Sequence, residues 1–208
     1  MKYIYFDFDG TIADSLALGL DIADELSEKY GFEKVDRTKL DEYKKMTATE
    51  LFKELRLPFI KVPIIAPMFK IEINRKINDL HPFDGIKDLM HKLSEDNYLG
   101  ILTSNSVENV KKFLINHNMI HLFSDIRSEI QIFGKHLSLN KIIRQNKISK
   151  ADFVYIGDET RDIEAANKTK VKSIAVTWGF NHPDVLIKYQ PTYIAKEPND
   201  ILNIINSL

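Results

Sequence analysis

The stretch KYIYFDFDGT, residues 2–11, decides the fold of this chain. Aromatic residues dominate its first part, a composition typical of a buried strand, and the run stops abruptly at Asp9 and Gly10. We therefore predict a short strand over residues 2–8. An isolated Asp-x-Asp pair is normally a solvated turn, but here Asp7 and Asp9 stand at the end of a strand that must be buried. Their position makes both of them candidates for chemistry.

Strand patterns return after residue 82, where they alternate with helical patterns. Each of these strands is apolar, which is typical of a parallel sheet covered by helices on both faces. Because crossovers are right-handed, the pattern predicts an α/β fold, a doubly wound parallel sheet with a Rossmann-like core. The predicted strands cover residues 98–103, 153–157, 173–177 and 193–195, with a short apolar segment near 123–132; the predicted helices cover 84–95 with Asp84 as the N-cap, 107–117, 137–145, 161–168 and the residues from 199 onward.

The segment between the first strand and residue 80 carries helical patterns and no predicted strand. Ser15 is a possible N-cap for a first helix that stops at Gly31. Thr47 and Glu50 have the spacing of a capping box ahead of a second helix, and a longer helix follows from near Ile64.

The length of the chain supports an insertion. The 208 residues correspond to about 1.4 domains of ~150 residues each. We therefore predict an α/β core formed by residues 1–14 and 82–208, with residues 15–81 as an inserted, all-helical cap domain.

Composition excludes several classes of function. The chain has no cysteine, so disulfides, thiolate metal sites and cysteine nucleophiles are excluded. Lys and Arg number 29 against 30 Asp and Glu, a net charge of −1 that gives no general attraction to nucleic acid or membrane. Asp7 interrupts the apolar start that a signal peptide needs, and no apolar run reaches the ~20 residues of a membrane span. We expect a cytoplasmic monomer or homodimer.

Polar clusters follow three of the predicted strands, at residues 7–11, 103–105 and 157–162. The carboxyl ends of strands in an open α/β sheet form its ligand crevice, so these clusters should converge. Taken singly, Thr103, Asp158 and Asp162 have ordinary explanations as residues at helix N-termini. Carboxylates brought together raise each other's pKa unless a cation lies among them, and hard oxygen ligands without His or Cys suit Mg²⁺.

The stretch DFDGTIADS, residues 7–15, resembles the first motif of the haloacid dehalogenase (HAD) superfamily. Its pattern D-x-D-G-T-x-x-D fixes five positions, and its chance occurrence is on the order of 10⁻⁴. Thr103, Lys135 and the GDETRD stretch at 157–162 resemble the second, third and fourth motifs, in the same order. PFDG at 82–85 and TWGF at 177–180 most resemble the phosphoglycolate-phosphatase-like branch, which has a helical cap.

The resemblance implies a Mg²⁺-dependent phosphatase that acts on a small phosphorylated metabolite through an aspartyl-phosphate. It makes Asp7 the nucleophile and Asp9 the acid and base, with the Phe8 and Ser104 N–H groups on the phosphoryl oxygens. The implied site set is catalytic Asp7, Asp9 and Lys135; phosphate-binding Thr103, Ser104, Asn105 and Lys135; and metal-binding Asp7, Asp9 through its carbonyl, Asp158 and Asp162, the last of which holds a metal-bound water or positions Lys135.

Several alternatives stay open at this point. Lys141 could replace Lys135 as the third-motif lysine, and Glu159 could join the metal shell or face solvent. A phosphomutase (β-phosphoglucomutase-like) uses the same core, and a non-catalytic binding protein would carry degenerate motifs. A dehalogenase needs neither Asp9 nor a metal, and a receiver-type signalling domain would lack the insertion. One of the basic residues of the insertion could reach an anionic substrate: Lys44, Lys45, Lys53, Arg56 or Arg75.

Overall fold

The computed structural model describes residues 1–129 and 134–208. Within these residues one sheet contains six parallel strands in the order β3-β2-β1-β4-β5-β6. The α/β, doubly wound prediction is therefore confirmed. The strands are β1 Tyr3–Phe6, β2 Tyr98–Thr103, β3 Asp125–Ser128, β4 Phe153–Gly157, β5 Lys172–Val176 and β6 Tyr193–Ala195.

Helices connect the strands and cover the sheet. The helix that follows β5 is short, and the sequence patterns did not predict it. The helices after residue 82 are α5 Ile86–Asp96, α6 Val107–Asn116, α7 Lys135–Gln145, α8 Thr160–Thr169, α9 Pro183–Lys188 and α10 Pro198–Asn206; those before it are α1 Leu16–Tyr30, α2 Leu40–Tyr43, α3 Ala48–Glu54 and α4 Val62–Arg75.

Successive residues of β1 face opposite sides of the sheet, and helices cover both sides. Ile4 and Phe6 belong to an apolar cluster that includes side chains of α5, α6 and α10. Tyr5 belongs to a second cluster with side chains of α7 and α8. All three are fully buried, which explains why the strand reads as almost continuously apolar and aromatic.

Residues 15–81 contain α1 to α4 and no strand. Val35, Tyr43 and Leu55 form a small apolar cluster of their own. The two connections to the sheet run side by side, because the Asp14 N–H donates to the His81 carbonyl at 2.9 Å. The segment therefore leaves the sheet and returns to it at one place.

The predicted helix ends were partly right. Gly31 ends α1 as predicted, in a left-handed conformation with φ of 68°. Thr47 and Glu50 form the predicted capping box. Ser15 precedes α1 but makes no cap hydrogen bond. The prediction that Asp84 caps α5 is wrong, because Gly85 occupies the N-cap with φ of 79°, a left-handed conformation that favours glycine.

The short apolar segment predicted near residues 123–132 contains β3, Asp125–Ser128. Residues 130–132 of that segment lie outside the described residues. None of the helices in residues 1–129 and 134–208 has the length and apolar character needed to cross a bilayer.

Two glycines test how closely the elements are packed. Gly100 of β2 pairs with Tyr5 of β1, and a Cβ at position 100 would overlap the Tyr5 ring. We expect Gly100→Ala to lower the free energy of unfolding by about 1–3 kcal/mol through overpacking. Chemical denaturation followed by circular dichroism measures the change.

Gly19 in α1 is the matched control. A Cβ there would meet only Phe69, at 3.5 Å, which is ordinary contact. Gly19→Ala should therefore raise the free energy of unfolding by about 0.5–1 kcal/mol through helix propensity. Effects of the same sign for the two substitutions would contradict this account of the β1–β2 packing.

Candidate active site

The three polar clusters lie at the carboxyl ends of three adjacent strands, β2, β1 and β4. Asp7 follows β1, Thr103 ends β2, and Asp158 follows β4, with Asp162 in the first turn of α8. All four side chains are almost completely buried. From β1 the strand order continues to β2 and β3 on one side and to β4, β5 and β6 on the other. Open α/β sheets bind their ligands at such a switch in strand order.

Asp7, Asp158 and Asp162 form a buried acidic cluster. Each offers a carboxylate oxygen, and these oxygens lie within 4.8 Å of one another. Burial raises the pKa of Asp7 to about 7, although the Lys135 ammonium opposes the shift. Burial and the neighbouring carboxylates raise the pKa of Asp158 well above its ordinary value. The cluster therefore needs compensating positive charge to stay ionised.

Lys135, the first residue of α7, supplies part of that charge. Its Nζ lies 2.7 Å from Asp7 Oδ2 and also donates to Asp162 Oδ1. Burial alone would lower the pKa of Lys135, but the carboxylates of Asp162 and Asp7 outweigh it and hold that pKa well above its ordinary value. Lys141, the alternative for this position, is exposed on the same helix.

Asp158 is held by groups that the sequence analysis did not include in the site. The Thr11 hydroxyl donates to Asp158 Oδ1 at 2.9 Å, and the Phe180 N–H donates to Oδ2 at 2.7 Å. A Cβ at Gly10 or Gly179 would overlap the Asp158 carboxylate. Thr11 and Gly10 belong to the first motif, and Gly179 and Phe180 to the TWGF stretch, so the signal for them was present.

Asp9 lies beside the cluster, and its two carboxylate oxygens differ in their hydrogen bonding. Its Oδ2 accepts from Asn105 Nδ2 at 3.0 Å, while its buried Oδ1 has no hydrogen-bond partner in the described part of the chain. Burial raises the pKa of Asp9, and the side chains of Ser15 and Asn105 oppose that shift. The bare oxygen is available to exchange a proton with a bound molecule.

The end of β2 provides hydroxyl and amide groups next to Asp9. The Asn105 N–H donates to Thr103 Oγ1 at 3.0 Å, and Ser104 lies half-buried between them. Ser106 Oγ caps α6 by accepting from the Asn109 N–H, so Thr103 and Ser104 are not its caps. The Phe8 N–H, expected on a phosphoryl oxygen, donates here to Asp7 Oδ1 at 2.8 Å.

Glu159 is paired with Arg161. This pairing does not distinguish a place in the metal shell from a solvent-facing position. Arg161 Nη2 lies 2.5 Å from Glu159 Oε1, and both side chains are largely buried. The Arg161 Nε is buried and has no partner among the residues described. Burial would lower the pKa of Arg161, but Glu159, Asp162 and Asp7 outweigh it and raise that pKa. Arg161 is thus a second buried cation beside the acidic cluster, and the sequence analysis missed it.

A doubly wound sheet that gathers buried carboxylates, a lysine, a threonine and an amide at its switch point has the fold and site of an α/β enzyme. A family model described as haloacid dehalogenase-like hydrolase matches residues 4–176, and the chain belongs to that family. The resemblance stated from the motifs is confirmed, and the chain is a hydrolase.

Individual proteins agree with this assignment. The chain is 31% identical to a phosphoglycolate phosphatase of Synechococcus elongatus over 214 residues, which cover 100% of this chain and 99% of that protein. A predicted phosphatase from Clostridium acetobutylicum has the same fold, with a TM-score of 0.85 at 22% identity, covering 100% of this chain and 99% of the other. A HAD-like hydrolase from Streptococcus pneumoniae aligns with a TM-score of 0.81 at 24% identity over 98% of both chains.

The acidic cluster fits a metal ion. Its donors are all carboxylate oxygens, and burial together with the neighbouring carboxylates raises the pKa of Asp158. A hard divalent cation bound to these oxygens removes the repulsion that the buried charges otherwise impose.

We therefore expect Mg²⁺ to stabilise the protein against thermal unfolding. A site that binds the native state gains about 2.7 kcal/mol when the free cation stands at 100 times its Kd. Asp158→Asn should remove most of the cation-dependent rise in Tm, because it deletes one buried charged ligand. Differential scanning fluorimetry with MgCl₂ and with EDTA measures the change.

Glu164→Gln is the control, since Glu164 is an acid of α8, the helix that follows Asp158, and pairs with Lys168 at the surface. It should leave the Mg²⁺-dependent rise in Tm unchanged. A rise of equal size in wild type and Asp158→Asn would show that the cluster does not hold the cation.

Proposed function

We propose that this chain is a Mg²⁺-dependent phosphatase that hydrolyses a small phosphomonoester through an aspartyl-phosphate on Asp7, with phosphoglycolate as the first candidate substrate. One observation carries the proposal. Asp7 is a buried carboxylate paired with Lys135, and Asp9, two residues on, has a buried oxygen with no partner within residues 1–129 and 134–208. These contacts support the role of nucleophile for Asp7 and of proton donor for Asp9.

In the proposed first step an Asp7 carboxylate oxygen attacks phosphorus in line, and the bond from phosphorus to the substrate oxygen breaks. Hydrogen bonds from Phe8 N–H and Lys135 hold the two Asp7 oxygens in place. Asp9 gives its proton to the departing oxygen, a role that its raised pKa supports. The alcohol leaves, and Asp7 carries the phosphoryl group.

In the second step water attacks the phosphorus of the acyl phosphate, and the bond from phosphorus to the Asp7 oxygen breaks. Asp9, now ionised, accepts the proton of that water. Phosphate leaves and Asp7 is regenerated as a carboxylate. Thr103, Ser104, Asn105 and Lys135 bind the phosphoryl oxygens throughout.

Mg²⁺ is proposed to be held by the side chains of Asp7 and Asp158 and by the carbonyl of Asp9. Asp162 either holds a metal-bound water or positions Lys135, and its contact with Lys135 supports the second role. When bound, the cation offsets the negative charge that would otherwise keep a carboxylate and a phosphate apart.

We propose that residues 15–81 are a cap over a core of residues 1–14 and 82–208. The paired connections at Asp14 and His81 support this division, as does the small apolar cluster of Val35, Tyr43 and Leu55, which lies wholly within the segment. A cap that closes over the site excludes water during phosphoryl transfer and selects the substrate.

Among the five basic residues considered in the segment, Lys44 is the candidate that reaches the substrate. Its Nζ lies 3.4 Å from the Gly179 carbonyl, beside the Asp158 cradle. Arg56 and Arg75 pair with acids of their own segment and are exposed, as are Lys45 and Lys53. An ammonium at that place suits a substrate with a second anionic group, such as the carboxylate of phosphoglycolate, the compound named in the cyanobacterial relative.

We expect Asp7→Asn to abolish phosphate release while the protein stays folded, because an amide is not a nucleophile toward phosphorus. The loss should be at least about 10³-fold. The assay measures free phosphate from a panel of phosphomonoesters that includes phosphoglycolate, with Mg²⁺ and with EDTA.

Asp88→Asn, at an exposed acid of α5, is the control and should keep full activity. Release at the wild-type rate by Asp7→Asn would refute the aspartyl-phosphate route. Conversion of a sugar phosphate to an isomer without free phosphate would indicate a mutase, and no conversion at high protein concentration would indicate a binding protein.

Lys135→Met should lower kcat by about 10²–10³-fold, because the positive charge on the nucleophile and the phosphoryl group is lost. Lys141→Met removes a lysine of the same helix at an exposed position and should leave kcat unchanged. Circular dichroism checks that both variants are folded. The reverse pattern of kcat would make Lys141 the third-motif lysine.

A further inference from the structure

Residues 179–182, between β5 and α9, contact both the acidic cluster and the helical segment 15–81. We call them the bridging loop. On the cluster side, the Phe180 N–H donates to Asp158 Oδ2 at 2.7 Å, and the Asn181 N–H donates to the Asp158 carbonyl at 3.3 Å. On the other side, the His182 N–H donates to the Lys44 carbonyl at 2.8 Å.

Asn181 joins the two sides through a single side chain. It is buried, with 2% of its surface exposed. Its Nδ2 donates to the carbonyls of Lys44 and Met46 at 3.1 and 2.9 Å. Its Oδ1 accepts from the Thr160 N–H at 2.9 Å, which satisfies one of the free donors in the first turn of α8. Both amide hydrogens and the carbonyl are therefore engaged.

Removing some of the hydrogen-bond partners of a buried amide is costly, because its remaining donors or acceptors are left unsatisfied. When residues 44–46 move away, both Nδ2 hydrogens lose their acceptors. The side chain then has to turn to find new partners, and it releases the Thr160 N–H as it does so. Thr160 lies two residues from Asp158, so the loop that carries Asp158 loosens with it.

We propose that Asn181 is a positioning residue that couples the seating of the helical segment to the geometry of Asp158. The site is then complete only while residues 44–46 rest on the bridging loop. The consequence for catalysis rests on the proposed function, whereas the coupling itself is a property of the fold that can be measured without substrate.

The first test is Asn181→Ala, followed by amide hydrogen exchange of the substrate-free protein with Mg²⁺. Exchange in fragments that cover residues 44–46 and 158–162 should rise together, each by about tenfold, and Mg²⁺ affinity in calorimetry should fall by a similar factor. Faster exchange in one fragment alone, or in neither, would overturn the proposal.

Asn97→Ala controls for general destabilisation. Asn97 Oδ1 accepts from the Lys2 N–H at 2.9 Å, and Nδ2 donates to the Leu93 carbonyl at 3.1 Å. Asn97 immediately precedes β2 and therefore lies at the amino end of that strand, away from the acidic cluster. Its loss removes two side-chain hydrogen bonds, compared with three for Asn181. It should leave exchange in both fragments and Mg²⁺ affinity at their wild-type values, and equal changes in the two variants would count against a specific coupling.

Lys44→Met is a second test that leaves the bridging loop itself intact and keeps the proposal falsifiable if Asn181→Ala does not fold. It removes the bond from Nζ to the Gly179 carbonyl and touches neither Asp158 nor Thr160. Coupling predicts severalfold faster exchange at residues 158–162 in Lys44→Met. The control is Lys45→Met, which changes an exposed neighbour and should leave that exchange unchanged. Faster exchange at 44–46 without a change at 158–162 would overturn the proposal.

The outcomes separate this inference from the proposed function. Phosphate release by Asp7→Asn tests the chemistry, and exchange in Asn181→Ala and Lys44→Met tests the coupling. A coupled loop in a protein that releases no phosphate would leave the inference standing and the function refuted.

Discussion

Three buried carboxylates within 4.8 Å of one another are the constraint on which the rest of this structure depends. Such charges are unfavourable unless cations compensate them. The fold supplies two largely buried cationic side chains near them. Lys135 arrives from the start of α7, and Arg161 from the first turn of α8 together with its partner Glu159. The negative charge that remains is the reason for proposing a divalent cation at this site.

Most of the sheet could be predicted because buried parallel strands leave continuous apolar runs. β2, β4 and β6 have the predicted bounds, since each run is flanked by polar or turn residues. α9 was missed because six residues that begin with Pro183 are too few to show a period. The cap at Gly85 was missed because it depends on a backbone angle, while Asp84 beside it is the better side-chain candidate.

The candidate site divides in the same way. Groups that act through a distinctive side chain, such as Asp7 and Lys135, were predicted together with their neighbourhood. Groups that act through the main chain were not, because the Phe180 N–H on Asp158 can belong to almost any residue. Asn181 is intermediate: its side chain is distinctive, but its partners are carbonyls 135 and 137 positions away in the chain, which no local pattern reveals.

The paired connections at Ala13–Pro82 and Asp14–His81 have an evolutionary consequence. Because the two ends of the helical segment meet within one hydrogen bond, its length and internal architecture can change without displacing β1 or the aspartates that follow it. A replacement segment must supply its own acceptors for Asn181 of the bridging loop, as the carbonyls of Lys44 and Met46 do here. A lineage built on this core can therefore diversify by exchanging one contiguous piece of gene, provided that the new piece renews those contacts.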